Sequence, residues 1–305
     1  MDFLKRSLLC AISVSALLLS NGCSVKKMAM NQIGDALSGG GTVFSGDEDP
    51  ELVRDALPFS LKLMESVLEG TPEHVGLLTS LTSGFTQYGY GFLQLEADEI
   101  EDEDYDKAVA IRERSLKFYL RAYAYGLRGL EASYRGFGEQ FEEDREKALD
   151  RLKKKDVELL YWTGLSLGAA VSISLDNPEL VSKLALVESI MEKCLELDPE
   201  FDSGSIHSFF ITYEMSRLNG VGDPIERATY HFEEANRLSG GHMVSIYVAY
   251  AESVLVEQQD KEAFIELLEK ALSVDVDARP DWRLTNELYK RRAKWLLTRL
   301  DWLFL

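Results

Sequence analysis

Residues 224–240 read PIERATYHFEEANRLSG. Ala228, Phe232 and Ala235 lie here at offsets of 0, +4 and +7, so a helix carries all three on one face. The two small residues let a second helix approach closely, and the large residue fills the space between the two helices. The stretch therefore predicts one helix of a closely packed helix pair.

The same frame recurs on either side of this stretch. Cys194 lies 41 residues before Ala235, and Ala271 lies 36 residues after it. These intervals are somewhat longer than the period of about 34 residues in tetratricopeptide (TPR) repeats. We therefore predict degenerate TPR-like repeats with insertions, and residues 105–125 contain a weaker helix of the same kind. The frame falls on Val187, Met191 and Cys194, then on Ala228, Phe232 and Ala235, then on Phe264, Leu268 and Ala271.

Apolar-periodic segments alternate with short Gly, Pro or acidic breaks from residue 51 to the C-terminus. No segment shows sustained alternation of apolar and polar residues, which argues against a sheet. The pattern predicts an all-α fold, a helical solenoid of degenerate TPR-like hairpins over 51–305. The predicted helices are 51–69, 73–97, 105–135, 140–153, 157–175, 179–197, 204–218, 224–238, 242–258, 260–274 and 281–303.

One of these helices is apolar throughout. The segment Leu159–Leu175 contains no charged residue. It is shorter than the run of about 20 apolar residues that a transmembrane helix needs, and several of its residues are Ser or Thr. We predict a fully buried helix that packs through its small residues.

The N-terminus has the organisation of a secretion signal. Lys5 and Arg6 precede an apolar stretch, Ser7–Leu19, which is too short to span a bilayer comfortably. Small or polar residues then lead into Cys23, in a pattern that resembles the lipobox of bacterial lipoproteins. Residue Ser20 occupies the place where a lipobox usually has Leu.

Three boundaries follow from this interpretation. We predict a signal peptide at 1–22, lipid attachment at Cys23, and a flexible tether at 23–50, which is rich in Gly, Ser and Met. The protein is then held by its lipid on the periplasmic face of the cell envelope. By analogy with the sorting of many lipoproteins, Ser24 favours the outer membrane.

Charge and cysteine content narrow the possible functions. The chain has 33 Lys and Arg against 52 Asp and Glu, a net charge of −19, which argues against a nucleic-acid partner. Of the three cysteines, Cys10 leaves with the signal peptide and Cys23 carries the lipid. Cys194 then has no partner for a disulfide, and its place in the repeat frame predicts a small, buried packing residue.

The motifs of common enzymes are missing from the sequence. The four histidines are not spaced as metal ligands, and no glycine-rich phosphate loop opens a helix. We predict no catalytic residue, no cofactor and no metal site. The histidines are interpreted as surface or satisfied helix residues: His74, His207, His231 and His242.

The acidic run Glu96–Asp106 has two interpretations. Eight of its residues are Asp or Glu, which would suit a divalent cation if a second acidic cluster faced it. No such second cluster is evident. We favour a solvated turn whose acidic residues stabilise the N-terminus of the following helix.

Aromatic residues recur along several predicted helices. In stacked helix pairs they either form ordinary core or line a channel for an apolar ligand. The candidate channel residues are Tyr119, Tyr123, Tyr161, Trp162 and Phe209.

Several stretches taken together resemble the T-component family of TRAP transporters, the TPR lipoproteins called TatT. The resemblance runs from about Pro50 to the C-terminus. The matching stretches are LYWTGLSLGAAVSISLDNPE (159–178), MEKCLELDPEFDSGSIHSFF (191–210), GVGDPIERATYHFEEANRLSGG (220–241), VAYAESVLVEQQDKEAFIELLEKAL (248–272) and NELYKRRAKWLLTRLDWLF (286–304).

The resemblance implies a non-enzymatic, lipid-anchored adaptor of a TRAP-type uptake system. Such an adaptor assembles as a homotrimer, docks a periplasmic solute-binding protein, and holds or relays a small apolar or organic-acid ligand. An alternative is a periplasmic TPR scaffold that assembles outer-membrane or envelope complexes without a small ligand.

Overall fold

The computed structural model describes residues 27–39, 42–217 and 220–305. Within those ranges the fold is all-α, as predicted, and none of these residues lies in a strand. The predicted signal peptide and Cys23 lie outside the described residues. The α-helices are α1 (27–38), α2 (Pro50–Gly70), α3 (Val75–Tyr88), α4 (Leu95–Ile100), α5 (Tyr105–Ser133), α6 (Phe137–Glu143), α7 (Arg145–Leu149), α8 (Val157–Ser172), α9 (Pro178–Val181), α10 (Leu184–Leu197), α11 (Ser205–Ser216), α12 (Pro224–Ser239), α13 (Val244–Tyr250), α14 (Lys261–Ser273), α15 (Arg283–Leu297) and α16 (Leu300–Leu303).

Five predicted helices differ from the structure in their interior. The segments 140–153, 179–197 and 281–303 are each divided into two helices. The segments 73–97 and 242–258 each contain a π-helical turn. These turns are Gly89–Gln94, between α3 and α4, and Ala251–Leu255, after α13.

The breaks between helices are set largely by aspartate. In each case an aspartate side chain accepts a hydrogen bond from a backbone N–H in the first turn of the helix that follows. Such a cap stabilises a helix by about 1 kcal/mol, because the first N–H groups have no partner within the helix. The capping residues are Asp49 for α2, Asp104 for α5, Asp144 for α7, Asp223 for α12 and Asp260 for α14.

The apolar helix α8 lies at the centre of the larger core. It packs between α5 and α10 and also contacts α3. Small residues bring it close to these neighbours: a Cβ added at Gly164 would lie 2.6 Å from a methyl carbon of Ile190. Residues 159–171 are buried or half-buried, as predicted, whereas Ser172 and Leu175 at the end of the segment are exposed. None of the helices in the described ranges combines the length and the apolar character that crossing a bilayer requires.

Much of the segment predicted as a flexible tether has defined structure. Helix α1 packs on the turn between α2 and α3, where His74 Nε2 lies 3.3 Å from the carbonyl oxygen of Asn31 and 3.2 Å from a carboxylate oxygen of Asp35. The backbone N–H of Leu284 donates to the carbonyl of Ser45 over 2.9 Å. Over its described residues the segment 23–50 is therefore helix and turn in contact with the helical body.

Helix α15 closes the chain on itself. Leu284 and Leu288 are buried in one cluster with Val53 of α2 and Tyr88 and Phe92 of the π-turn region. In an open solenoid each repeat contacts only its neighbours, whereas this contact joins the two ends of the helical region. The linear solenoid therefore does not describe the whole chain, and the TPR-like geometry of single hairpins stays a prediction.

Ion pairs reinforce this closing contact, and we call them the closing seam. The first part of the acidic run, from Glu96 to Asp102, lies against arginines. Arg292 joins Asp98 at 3.0 Å and Glu252 at 2.7 Å, and its guanidinium lies over the ring of Trp295. The seam consists of Arg54 with Glu96, Arg112 with Asp98 and Glu101, Arg291 with Glu99, Arg292 with Asp98 and Glu252, and Arg299 with Asp102.

This arrangement corrects part of the sequence interpretation of the acidic run. The turn itself is solvated as predicted, since Glu103 and Asp104 are exposed and Asp104 caps the next helix. The less exposed carboxylates of the run are occupied by guanidinium groups. Within the described residues, no group of three or more His, Cys, Asp or Glu side chains is placed to hold a metal ion.

We expect Arg292→Met to lower the free energy of unfolding by about 2 kcal/mol, because it leaves the partly buried carboxylate of Glu252 without its counter-charge and leaves Asp98 with Arg112 alone. Urea unfolding followed by circular dichroism measures the change. The matched control is Lys294→Met, an exposed cation on the same helix, which should change stability by less than about 0.5 kcal/mol. Equal effects of the two substitutions would contradict the closing role of Arg292.

Candidate functional site

The structure brings four of the five candidate channel residues into one cluster. Tyr161 is buried, while Tyr123, Trp162 and Phe209 are half-buried and pack against the same core. The rings of Tyr161 and Trp162 meet edge to face at 5.2 Å between centroids. Trp162 and Phe209 thus pack against the core and remain partly exposed.

Tyr119 lies elsewhere. It is fully buried, with its ring against Gly89 of the first π-turn, and its hydroxyl donates to Gln94 Oε1 over 2.7 Å. A fully buried phenol with a satisfied hydroxyl is core. The structure therefore separates Tyr119 from the other four residues.

Burial raises the pKa of each tyrosine in this region. The pKa of Tyr123 rises to about 12 for this reason. For Tyr161 the upward shift comes first from burial, then from the charges of Asp202 and Tyr289. Since Tyr289 belongs to α15, the closing helix lies within electrostatic range of Tyr161 on α8.

Asp202 sits on a strained turn beside Tyr161. Its φ of 44° and the φ of 55° at Ser203 are left-handed values, which residues other than glycine rarely adopt. The hydroxyl of Ser205 donates to Asp202 Oδ2 over 2.6 Å. Even so, burial raises the pKa of the Asp202 carboxyl, although the residue keeps exposed surface.

Glu158 faces Asp202 from the first turn of α8. Its pKa is also raised, first by burial and then by the negative charge of Asp202. Both carboxyls are therefore partly desolvated, although each residue keeps exposed surface. Two acidic groups thus lie near Tyr161.

Both π-turns present a polar side chain to α15. Tyr90 of the first turn lies 5.6 Å from Tyr289, between ring centroids, and Glu252 of the second pairs with Arg292. Burial raises the pKa of both tyrosines, yet neither ring is fully covered. π-Turns often occur at functional sites because they redirect side chains. Here the two turns line the same helix from opposite parts of the chain.

Sequence reasoning did not identify these polar residues as part of a site. They belong to no motif: Tyr90, Glu158, Asp202, Glu252 and Tyr289. Their common environment depends on the closing of the chain, which local spacing does not reveal.

Sequence reasoning also missed a buried histidine pair. Nδ1 of His207 lies 2.9 Å from Nδ1 of His231, so one nitrogen donates and the other accepts. The ring of Phe210 stacks on His231 at 4.9 Å. Burial and the neighbouring His207 lower the pKa of His231 to about 4, and burial lowers the pKa of His207.

No feature of a covalent catalyst accompanies these groups. Cys194, a repeat-packing residue, is fully buried, and burial raises the pKa of its thiol, so a reactive thiolate is disfavoured. The other predicted packing residues lie on α12 and α14. Ala228, Ala235 and Ala271 are fully buried, and Phe232 is half-buried with its ring 4.6 Å from that of Tyr250.

We expect the histidine pair to make the free energy of unfolding decrease as the pH is lowered. Above the unfolded pKa of about 6.5 both states are neutral. As the pH falls towards 4, the unfolded chain takes up protons that folded His231 refuses, so the folded state loses about 2–3 kcal/mol. His231→Gln should lose less stability over this range than the unsubstituted protein, by urea unfolding at several pH values. His242→Gln, at a half-buried histidine outside the pair, should lose as much stability as the unsubstituted protein. The same dependence of stability on pH in all three proteins would contradict the role of the pair.

Comparison with known proteins identifies the family. A family model described as "TRAP transporter T-component" matches residues 46–304. A protein of Treponema pallidum (strain Nichols), described only as an uncharacterized protein, is 26% identical over 314 aligned residues, covering 97% of each chain. The family match begins at the turn before α2 and includes α15 and α16, so it covers the closed helical body and the site within it. The resemblance drawn from the sequence is confirmed: the chain belongs to the TRAP transporter T-component family, a transport-associated family rather than an enzyme family.

Proposed function

We propose that this protein is a lipid-anchored periplasmic adaptor of a TRAP-type uptake system. It docks a periplasmic solute-binding protein and holds or relays a small ligand in the space beside Tyr161. The observation that carries the proposal is the family match over residues 46–304, since it includes every helix that lines that space.

The ligand part of the proposal rests on the surroundings of Tyr161. The half-buried ring of Trp162 packs edge to face on Tyr161, Phe209 is a half-buried member of the same core cluster, and the charge of Tyr289 reaches Tyr161 from the closing helix. Open aromatic faces combined with a few polar groups are typical of small-molecule sites. Closure by α15 gives this space its second wall.

The polar groups bear on the ligand class. Glu158 and Asp202 at one end would repel an organic acid, and the raised pKa of both carboxyls indicates that they are poorly hydrated. An apolar ligand avoids this repulsion, and its polar end can meet the hydroxyls of Tyr90 and Tyr289 at the other side. Of the two ligand classes, we favour the apolar one.

Anchoring at Cys23 completes the proposal. Three residues separate Cys23 from Lys27, where helix α1 begins, so the lipid would hold the helical body close to the membrane. The proposal includes the periplasmic face of the outer membrane as the location and a homotrimer as the assembled form. Light scattering of the detergent-solubilised lipoprotein measures the latter.

We expect Trp162→Ala to weaken retention of an apolar ligand by about tenfold while the protein stays folded, because it removes a half-buried ring beside Tyr161. The probe is a fluorescent fatty-acid analogue titrated into the purified protein, with circular dichroism as the check on folding. Phe232→Ala is the matched control, since Phe232 is also half-buried but lies in another cluster. Unchanged binding by folded Trp162→Ala protein would remove this ring from the ligand site.

We expect the C-terminally tagged lipoprotein to recover a TRAP-type solute-binding protein from periplasmic extract in stoichiometric amount. Mass spectrometry of the eluate identifies the partner, and mass measurement of the mature chain tests acylation of Cys23. Cys23→Ser should abolish the acyl mass without removing the partner. Recovery of envelope-assembly proteins with no solute-binding protein would instead favour the scaffold function.

A further inference from the structure

A row of cations lies along the exposed side of α5, and we call it the basic stripe: Arg114, Lys117, Arg121 and Arg128. The spacings of three, four and seven residues put all four on one face of the helix, and all four are exposed. Residues 114–128 contain no acidic residue, in a chain with a net charge of −19. At a rise of about 1.5 Å per residue the stripe is about 21 Å long.

Aromatic rings hold the arginines of the stripe in place. Arg114 lies over Phe118 at 5.4 Å, and Arg128 lies over Tyr125 at 5.4 Å. Arg121 lies over Phe85 at 4.8 Å, and Phe85 in turn contacts both of the other rings. This arrangement fixes the guanidinium groups at the surface without neutralising them.

Most of this charge remains available to a partner. Arg121 pairs with Glu65 of α2. Among the described residues, Arg114, Lys117 and Arg128 have no carboxylate within ion-pair distance. The arginines of the closing seam differ in this respect, because each of them contacts a carboxylate. The stripe is therefore a surface suited to an anionic partner.

The position of the N-terminal helix indicates which anionic partner. Arg128 donates to the carbonyl of Pro72 over 3.3 Å. Lys27, at the start of the described chain, lines a cavity with the same turn, from Thr71 to Gly76. One end of the stripe and the start of α1 therefore meet at one turn.

A lipid on Cys23 would bring this end of the molecule to the membrane. The four residue steps from Cys23 to Lys27 span at most about 14 Å. We propose that the basic stripe is a membrane-facing surface that binds the anionic phosphate headgroups of phospholipids. The choice of a membrane rests on the proposed acylation, because the lipid sets which end of the protein meets the bilayer.

The physical role of such a surface is orientation. Acidic parts of the chain are repelled by an anionic bilayer, whereas the stripe is attracted within a Debye length of about 10 Å. Leu120, which is 38% exposed beside Lys117 and Arg121, can enter the headgroup region. The lipid and the stripe would then be two separate membrane signals.

The test uses a form that begins at Ser24, so that binding to vesicles does not depend on the acyl chains. Every contact described above lies within residues 27–305, so this form keeps the whole described fold, and circular dichroism verifies it. We expect it to sediment with phosphatidylcholine vesicles that contain about one-third phosphatidylglycerol, at about 50 mM NaCl. Binding should fall at least fivefold on pure phosphatidylcholine and at about 500 mM NaCl.

Charge-reversal variants distinguish the effect of the stripe from the effect of net charge. Arg114→Glu/Lys117→Glu/Arg128→Glu should lower vesicle partitioning at least tenfold. The control Lys147→Glu/Lys155→Glu/Lys294→Glu changes the net charge equally at exposed positions elsewhere and should bind within about twofold of the unsubstituted form.

Two results would overturn the inference. One is equal binding by the stripe variant and the unsubstituted form. The other is that neither the stripe variant nor the unsubstituted form binds vesicles, while an acidic protein binds to the stripe. The stripe would then be a protein-docking surface. Because this form lacks Cys23, its outcome is independent of the acylation measurement, and the two proposals can fail separately.

Discussion

The pairing of Arg292 with Asp98 and Glu252 is the interaction on which the arrangement of the other parts depends. It joins α15 to the acidic run on one side and to the second π-turn on the other. Beneath it, Leu284 and Leu288 fill an apolar cluster formed by the first helices of the body. Charge and burial thus act together at the one place where the two ends of the chain meet. The guanidinium is nearly enclosed, so its two carboxylates are not readily replaced by water.

The candidate ligand space is a consequence of that closure. Tyr161 and Trp162 belong to α8, near the middle of the sequence, whereas Tyr289 belongs to the closing helix. Tyr161 packs on Trp162 and Phe201 within the core around α8, and the charge of Tyr289 reaches it from α15. Nearby, burial removes hydration from the carboxyls of Asp202 and Glu158. A transport component that holds an apolar ligand needs such an enclosed surface, because ligand and aromatic side chains are then removed from water together.

The sequence predicts the helices well and the closure poorly, for a physical reason. Apolar periodicity and capping aspartates are local signals, so α2, α5, α8 and α12 were predicted within a few residues of their bounds. The burial of Leu159–Leu175 could be predicted because its composition admits few alternatives. The ion pairs of Asp98 and Glu99 with α15 could not, because a local pattern does not distinguish a solvated carboxylate from one that meets an arginine some 190 residues later. The same limitation applies to His207 and His231, which lie on different helices and share no motif.

Closure also has a consequence for how the molecule folds. Its contacts join residues far apart in sequence, and such contacts form slowly because a long loop must close before they contribute any stability. A growing chain emerges N-terminal end first, so α2 to α5 precede α15 by most of the length of the protein. Until α15 arrives, Val53, Tyr88 and Phe92 lack their apolar cover and the acidic run lacks its counter-charge. The body of the protein can assemble helix by helix, but the contacts that close it form only once the last long helix has been made.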